Sequence, residues 1–342
     1  MRYGLIGCGG IGQLRAAALA QIKSAQLVAV NDVDEGRAAV LAAQHRGAGV
    51  VRHWQDLVQR PDVDAVIVST PPHLHAEMTI AALAAGKHVL CEKPLGRNVA
   101  ECAQMVAAAA QYGRFLATGF NYRFYPSMLK ARELLDSGLI GELDHIRSYT
   151  GYTAADHNQA WLHDPAIMGG GSLRDNGIHL IDLTCYFLGD VAEIKGFGTN
   201  AVWQFPGCED NGFALLRNSQ GRVATLQASW TEWRGYRLRV EIYGSRGCIH
   251  ATCFPMITQL YWSAERGGRM QRQVHVFPKT QVMEKWKSYR WVVVESFVQE
   301  FAAFAQAATG QGGGSSVVPP IATGQDGLLT IRVAEGAVGR DL

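Results

Sequence analysis

The sequence predicts two domains of the α/β and α+β classes, a doubly wound domain over residues 1–120 and an α+β domain over 121–342. Three observations carry that expectation. Short apolar runs alternate with Ala-rich segments of helical length through the first 120 residues, the grammar of parallel βαβ units. The first run ends in the glycine turn Gly7-Cys8-Gly9-Gly10-Ile11-Gly12. After Phe120 the alternation stops, and strand-length pieces follow one another with turn signals between them, as in an antiparallel or mixed sheet.

In order, Tyr3–Ile6, Leu27–Val30, Ala65–Ser69, His88–Cys91 and Phe115–Thr118 read as strands. The segments Ile11–Gln21, Glu35–Gln44, His73–Ala85 and Asn98–Tyr112 read as helices, with Gly86 and Gly113 as the left-handed stops of the last two. Beyond Phe120 come a helix over Ser127–Asp136, a strand over Leu143–Tyr149 and a long irregular stretch over Thr150–Gly171. A helix over Leu173–Phe187 precedes strands that include Gly212–Leu216, Val223–Trp230, Arg237–Tyr243 and Gly247–Ala251. Helices over Trp291–Ala308 and Gln325–Gly336, separated by the Gly- and Ser-rich 312–316, close the chain.

Composition narrows the function classes. Of 342 residues 48% are hydrophobic and 18% charged, enough apolar surface for a sizeable core. Lys and Arg number 11 against 9 Asp and Glu before residue 121, and 21 against 21 after it. Neither part has the basic excess that nucleic acid or an anionic membrane surface requires. No apolar run approaches the ~20 residues of a membrane helix, and the N-terminus lacks a signal-peptide layout. Seven dispersed cysteines without a C-x-x-C pair point to reduced thiols and a cytoplasmic protein, with no zinc site expected.

The glycine turn is G-x-G-x-x-G between a strand and a helix, the context that gives this motif its meaning. Gly7 permits the tight turn, Gly9 and Gly10 let backbone approach a pyrophosphate, Ile11 opens the helix, and Gly12 lets helix and strand pack. The helix N-terminus offers unpaired N–H groups to that anion. Asp32, at the end of the second strand, is placed to accept from ribose hydroxyls and to repel a 2′-phosphate, so NAD is favoured, with NADP left open by Arg37 in the next helix. Asp34 is read as the cap of that helix. At the end of the Ala65–Ser69 strand Thr70 is a candidate donor and Pro71 stiffens the loop, while His75 reads equally as a cofactor contact or as the start of a helix.

The His88–Cys91 strand runs into Glu92-Lys93-Pro94. Pro94 holds Lys93 extended, directed from the carboxyl edge of the sheet, where open α/β sheets bind ligands, with Glu92 as its counter-charge. In the second domain Ser172 and Asp175 resemble a capping box. On a helix starting there, Asp175, His179 and Asp182 share one face of an otherwise apolar segment. Burying such a stripe is costly unless it is paired or used, and His is the side chain suited to proton transfer near neutrality.

Glu92-Lys93-Pro94 after such a strand, together with G-G-x-x-x-D-x-x-x-H-x-x-D from Gly170 to Asp182, resembles the glucose–fructose oxidoreductase/inositol dehydrogenase (Gfo/Idh/MocA) family. Gly119-Phe120-Asn121-Tyr122-Arg123-Phe124 and Gly138-Leu139-Ile140-Gly141 extend the resemblance over most of the chain. It implies a Rossmann domain, a second domain built on a large open, mostly antiparallel sheet whose exposed face joins homodimers or homotetramers, and catalytic roles for Lys93, Asp175 and His179. The expected reaction is hydride transfer between a secondary alcohol of a sugar, inositol or related polyol and NAD. In it His179 is the base, Lys93 stabilises the alkoxide, and Asp175 orients His179 or a substrate hydroxyl. Arg123, Tyr152, His157 and Trp161, with the neighbouring His163, are candidate substrate contacts, since aromatic and hydrogen-bonding groups suit sugar-like rings.

Competing readings meet this pattern unequally. A short-chain dehydrogenase needs Tyr-x-x-x-Lys, and no tyrosine here has lysine four positions later. An NAD-dependent glycosidase of the same superfamily and a catalytically silent NAD-binding sensor stay as alternatives, the latter weakened by the presence of both Lys93 and His179.

Overall fold

A computed structural model describes residues 1–156, 160–310 and 321–338. The chain divides into two units, one comprising Met1–Asn121 with Lys287–Leu329, the other Tyr122–Trp286 with Thr330–Leu342.

The first unit opens with the expected alternation: β1 (Arg2–Ile6), α1 (Gly10–Leu19), β2 (Gln26–Asn31), α2 (Glu35–Gln44), β3 (Gly49–Val50), α3 (Trp54–Gln59), β4 (Ala65–Val68), α4 (His75–Ala84), β5 (His88–Cys91), α5 (Val99–Gln111) and β6 (Leu116–Thr118). Among the described residues its sheet is parallel, in the order β3-β2-β1-β4-β5-β6. The order reverses between β1 and β4, which sets the ligand crevice at their carboxyl ends. β4 and β5 are almost wholly buried, as expected of strands covered on both faces. Asp34 and Asn98 cap α2 and α5 by accepting from Arg37 N–H and Glu101 N–H. The pair β3 and α3 had no sequence signal: a two-residue strand and a six-residue helix are too short to show a period.

The second unit begins with α6 (Pro126–Asp136) and β7 (Leu143–Gly151), then α7 (Pro165–Met168) and α8 (Gly177–Leu188). It continues through β8 (Glu193–Thr199), β9 (Asn211–Arg217), β10 (Val223–Ser229), β11 (Arg237–Gly244), β12 (Gly247–Cys253), β13 (Met256–Trp262), β14 (Gln271–Val276) and α9 (Pro278–Lys287). Among the described residues the strands form one open sheet, β14-β13-β12-β11-β7-β10-β9-β8, antiparallel throughout except for the parallel pair β7 and β10. Alternate residues of β9 and β10 are buried; α6 and α8 pack on the sheet.

The two last helices, α10 (Tyr289–Ala308) and α11 (Gly324–Val338), correct the expected boundary, because residues 287–329 return to the first unit. Packing gives the reason. Phe301 and Phe304 of α10 meet Tyr3 with ring centroids 5.5 and 6.3 Å apart, and Phe304 meets Phe115. Asn121 donates to Ser296, and Thr118 N–H donates to the Ala322 carbonyl. Contiguity in sequence therefore misassigned this segment. The Gly- and Ser-rich 312–316 lies outside the described residues.

Candidate active site

The glycine turn leads from β1 into α1. Gly7 has φ +95°, and a Cβ there would stand 2.6 Å from the Ser69 carbonyl oxygen; one on Gly12 would stand 2.0 Å from that of Gly7. Only glycine fits these two positions. Before Gly9 and Gly10 the space is open to 4 Å, and no side chain caps α1. Its first-turn N–H groups are thus left to an anion, and Ile11 lies exposed at its start. Asp32 holds the turn from the end of β2, accepting from Cys8 N–H at 2.7 Å, Asp34 N–H at 2.8 Å and Arg37 at 3.0 Å. Open glycine backbone, an uncapped helix start and a carboxylate at the tip of β2 fit a dinucleotide with free ribose hydroxyls. The Arg37 guanidinium is committed to Asp32 and Asp34.

At the end of β4, Ser69 donates to the Gly7 carbonyl at 2.8 Å, Thr70 donates to the Met78 sulfur, and Pro71 is extended. His75 departs from the cofactor-contact reading. It is 0% exposed, begins α4, and turns both ring nitrogens to carbonyls of the protein, Nδ1 to Pro94 at 2.9 Å and Nε2 to Thr70 at 2.7 Å. No nitrogen is left for a nucleotide.

Glu92 has a partner that no motif announced: its carboxylate accepts from Arg15 Nε at 2.6 Å and from the Lys93 backbone N–H at 3.3 Å. Arg15 is fully buried, reaches Glu300 of α10 as well, and lies 3.6 Å over the Phe297 ring. Gly119 makes the room: a Cβ there would stand 2.6 Å from the guanidinium. Lys93 itself is half-buried at the carboxyl edge of β5.

In the second unit the helix expected from Leu173 starts at Gly177, and 172–176 are turns. Ser172 does not cap it: its hydroxyl donates to the Ala228 carbonyl at 3.2 Å. The buried Glu209 accepts from Gly171 N–H at 2.9 Å and Leu173 N–H at 2.8 Å, and those two bonds fix the turn. The expected one-face stripe is consequently divided among three environments. Asp175 accepts from the Tyr152 hydroxyl and from Trp230 Nε1 at 3.1 Å. His179 stacks on Tyr122, centroids 4.1 Å apart and planes 7° from parallel. Asp182 takes a fork from Arg123, Nε to Oδ2 at 2.9 Å and the terminal nitrogen to Oδ1 at 2.6 Å, with both side chains buried.

Arg123 and Tyr152 are therefore committed inside the protein, the first to Asp182 and the second to Asp175, where burial and that carboxylate drive the phenol pKa far up. Trp161 sits half-buried in the short turn Ala160–His163, and His163 stacks on Phe205 with centroids 4.0 Å apart. His157 lies outside the described residues. Asp175 and His179 belong to the second unit and Lys93 to the first. Sequence reasoning missed Arg15, Glu209, Glu300 and Trp230, none of which stands in a motif; for Trp230 and Arg15 the signal was a bulky residue in a segment too apolar or too Ala-rich to be surface.

Residues 1–120 match the family described as "Oxidoreductase family, NAD-binding Rossmann fold", and residues 128–250 match the "GFO/IDH/MocA C-terminal domain". The chain is 30% identical to "Myo-inositol 2-dehydrogenase" of Thermotoga maritima over 344 residues, covering 98% of this chain and 95% of that protein. It is 35% identical to "Inositol 2-dehydrogenase 2" of Saccharopolyspora erythraea over 257 residues, 73% of this chain and 72% of that one. A solved NAD binding oxidoreductase from Klebsiella pneumoniae is similar at TM-score 0.83 and 25% identity, over 98% of this chain and 96% of the other.

Proposed function

We propose a substrate class and a catalytic trio for this chain, which belongs to the Gfo/Idh/MocA oxidoreductase family and carries its NAD-binding Rossmann fold. It oxidises a secondary alcohol of a sugar, inositol or related polyol, with Lys93, Asp175 and His179 as catalytic residues and the turn Gly7–Gly12 and Asp32 as the seat of NAD. The observation that carries this reading is the Asp175 and His179 arrangement: an imidazole fixed in plane by Tyr122, four residues from a carboxylate fixed by Tyr152 and Trp230. Near-full-length similarity to a myo-inositol 2-dehydrogenase supports the substrate class.

Bound NAD supplies the acceptor for the hydrogen leaving the carbinol carbon. The chain's own part is to move a proton and hold charge. His179 takes the hydroxyl proton, its ring plane already set by the stack. Lys93 donates to the same oxygen and stabilises the negative charge that develops there. Asp175, with Oδ2 engaged by two neutral donors, orients His179 or a neighbouring substrate hydroxyl without swinging away.

Assembly is assigned to a second copy. The sheet exposes Phe197 of β8 beside Phe213 and Leu215 of β9 at one edge, and Val274 and Val276 of β14 at the other, apolar side chains of the kind that homo-oligomers cover. No disulfide joins the seven cysteines, and no described helix is long and apolar enough to cross a membrane; we place the protein in the cytoplasm.

The test is a panel of inositols, aldoses and deoxy or amino sugars assayed with NAD and NADP separately. Reduced nicotinamide should accumulate with at least one cyclic polyol or sugar and NAD, and Lys93→Ala should lose on the order of 10²–10³ in kcat. Wild-type turnover by Lys93→Ala would refute the trio.

A further inference from the structure

Behind the edge where Lys93 emerges lies a set of buried charges that the reaction does not use. One guanidinium, Arg15, faces two carboxylates, Glu92 of the β5 exit and Glu300 of α10. Arg15 and Glu300 side chains are 0% exposed and Glu92 10%, so the guanidinium and both carboxylates lie away from water. Groups so placed are costly to bury unless they are paired.

His75 stands beside that set, fully buried, with Glu92 as the charged group that acts on it. Its two ring nitrogens lie at hydrogen-bond distance from the carbonyls of Thr70 and Pro94, 2.7 and 2.9 Å. A carbonyl oxygen only accepts, and a neutral imidazole has a single N–H. The neutral ring would satisfy one carbonyl and press a lone pair on the other. The cation donates to both.

We infer that His75 is held as an imidazolium which ties the exit loop of β4 to the exit loop of β5, in the field of the Glu92 carboxylate, and positions Lys93. Burial is the largest influence on the ring and holds its pKa below the ordinary imidazole value, although both carbonyls and the Glu92 carboxylate push the other way. The geometry at the two nitrogens decides, because each contact is short and each partner is a pure acceptor. The consequence is mechanical. Pro94 follows Lys93 directly, so a donor fixed on the Pro94 carbonyl limits how far the lysine's backbone can move relative to the Thr70 loop. The positioning part rests on the proposed role of Lys93; the protonation part does not.

A neutron crystal structure of the full chain at about pH 7 reads the protons directly. Deuterons on both Nδ1 and Nε2 of His75 are expected, and a ring with only one overturns the proposal whatever the reaction proves to be. The kinetic arm compares His75→Gln and His75→Phe, each checked by its melting transition. A folded His75→Phe should lose on the order of tenfold or more in kcat, with KM for the polyol within about twofold, as for a displaced catalytic group. His75→Gln, which can still donate to one carbonyl, should recover part of the loss. Wild-type kcat in folded His75→Phe would overturn the positioning role, and if neither variant folds the neutron maps of the unmodified chain decide.

Discussion

The two units build their functional edges from different material. In the first, the groups that face a ligand are mostly backbone: the Gly7–Gly12 turn, the uncapped start of α1 and the loop beyond β4. Side chains such as Arg15, Glu92, Glu300 and His75 stand behind and brace it. In the second, the groups proposed to act are side chains, Asp175 and His179, braced by other side chains, Tyr152, Trp230 and Tyr122. A backbone edge survives most side-chain changes in front of it and fails when its brace fails. A side-chain site is sensitive one donor at a time.

The largest effect should therefore come from the brace. Arg15→Ala leaves Glu92 and Glu300 buried without their partner, and removing one member of a buried pair costs about 3–5 kcal/mol. Arg123→Ala strands one carboxylate, Asp182, rather than two. Urea unfolding of the full chain should place Arg15→Ala below Arg123→Ala. The reverse order would mean that the two-carboxylate brace is no more demanding than an ordinary buried fork, and the contrast between the units would weaken.

Next comes the single-donor test. Trp230→Phe keeps the ring and removes the N–H that reaches Asp175. A hydrogen bond to a charged group is worth about 1.5–3 kcal/mol of stability, so the unfolding midpoint should fall by a few degrees, and kcat should fall roughly 10- to 100-fold if the loosened carboxylate misplaces the reacting groups. An unchanged kcat would assign Trp230 to packing alone.

The same contrast explains what the residues disclosed before any coordinates. The glycine turn, the β4 and β5 exits and nearly every strand of the first unit follow from short-range patterns, because a turn or a period is written within a dozen residues. The braces are not. Glu300 meets Arg15 across 285 positions, and Trp230 meets Asp175 across 55. Glu209 fixes the turn before Asp175 from 36 or more positions away, so the Ser172–Asp175 spacing imitated a capping box that local sequence alone could not exclude. Arg123 looked like a substrate contact for the same reason: its partner Asp182 was visible only as one member of an apparent stripe. Residues 287–329 show the principle at the scale of a domain, since helix α10 reveals its partner only through where Phe301, Phe304 and Glu300 pack.

The smallest effects separate the two acids that follow β2, Asp32 and Asp34. Asp34 caps α2 by accepting from Arg37 N–H at 3.1 Å, and a lost cap costs about 1 kcal/mol. Asp34→Ala should lower the melting temperature by a few degrees, as expected for about 1 kcal/mol in a chain of this size, and leave KM for NAD within about twofold. Asp32→Ser should do the opposite. It removes the acceptor of Cys8 N–H and Asp34 N–H and releases Arg37 from its 3.0 Å ion pair. The carboxylate that repels a 2′-phosphate disappears and a guanidinium that can pair with one becomes available. The ratio of kcat/KM with NAD to that with NADP should fall by roughly tenfold or more. Should Asp32→Ser keep its preference while Asp34→Ala loses it, the roles of the two carboxylates are exchanged, and the cofactor edge of the first unit is set by the helix cap rather than by the end of β2.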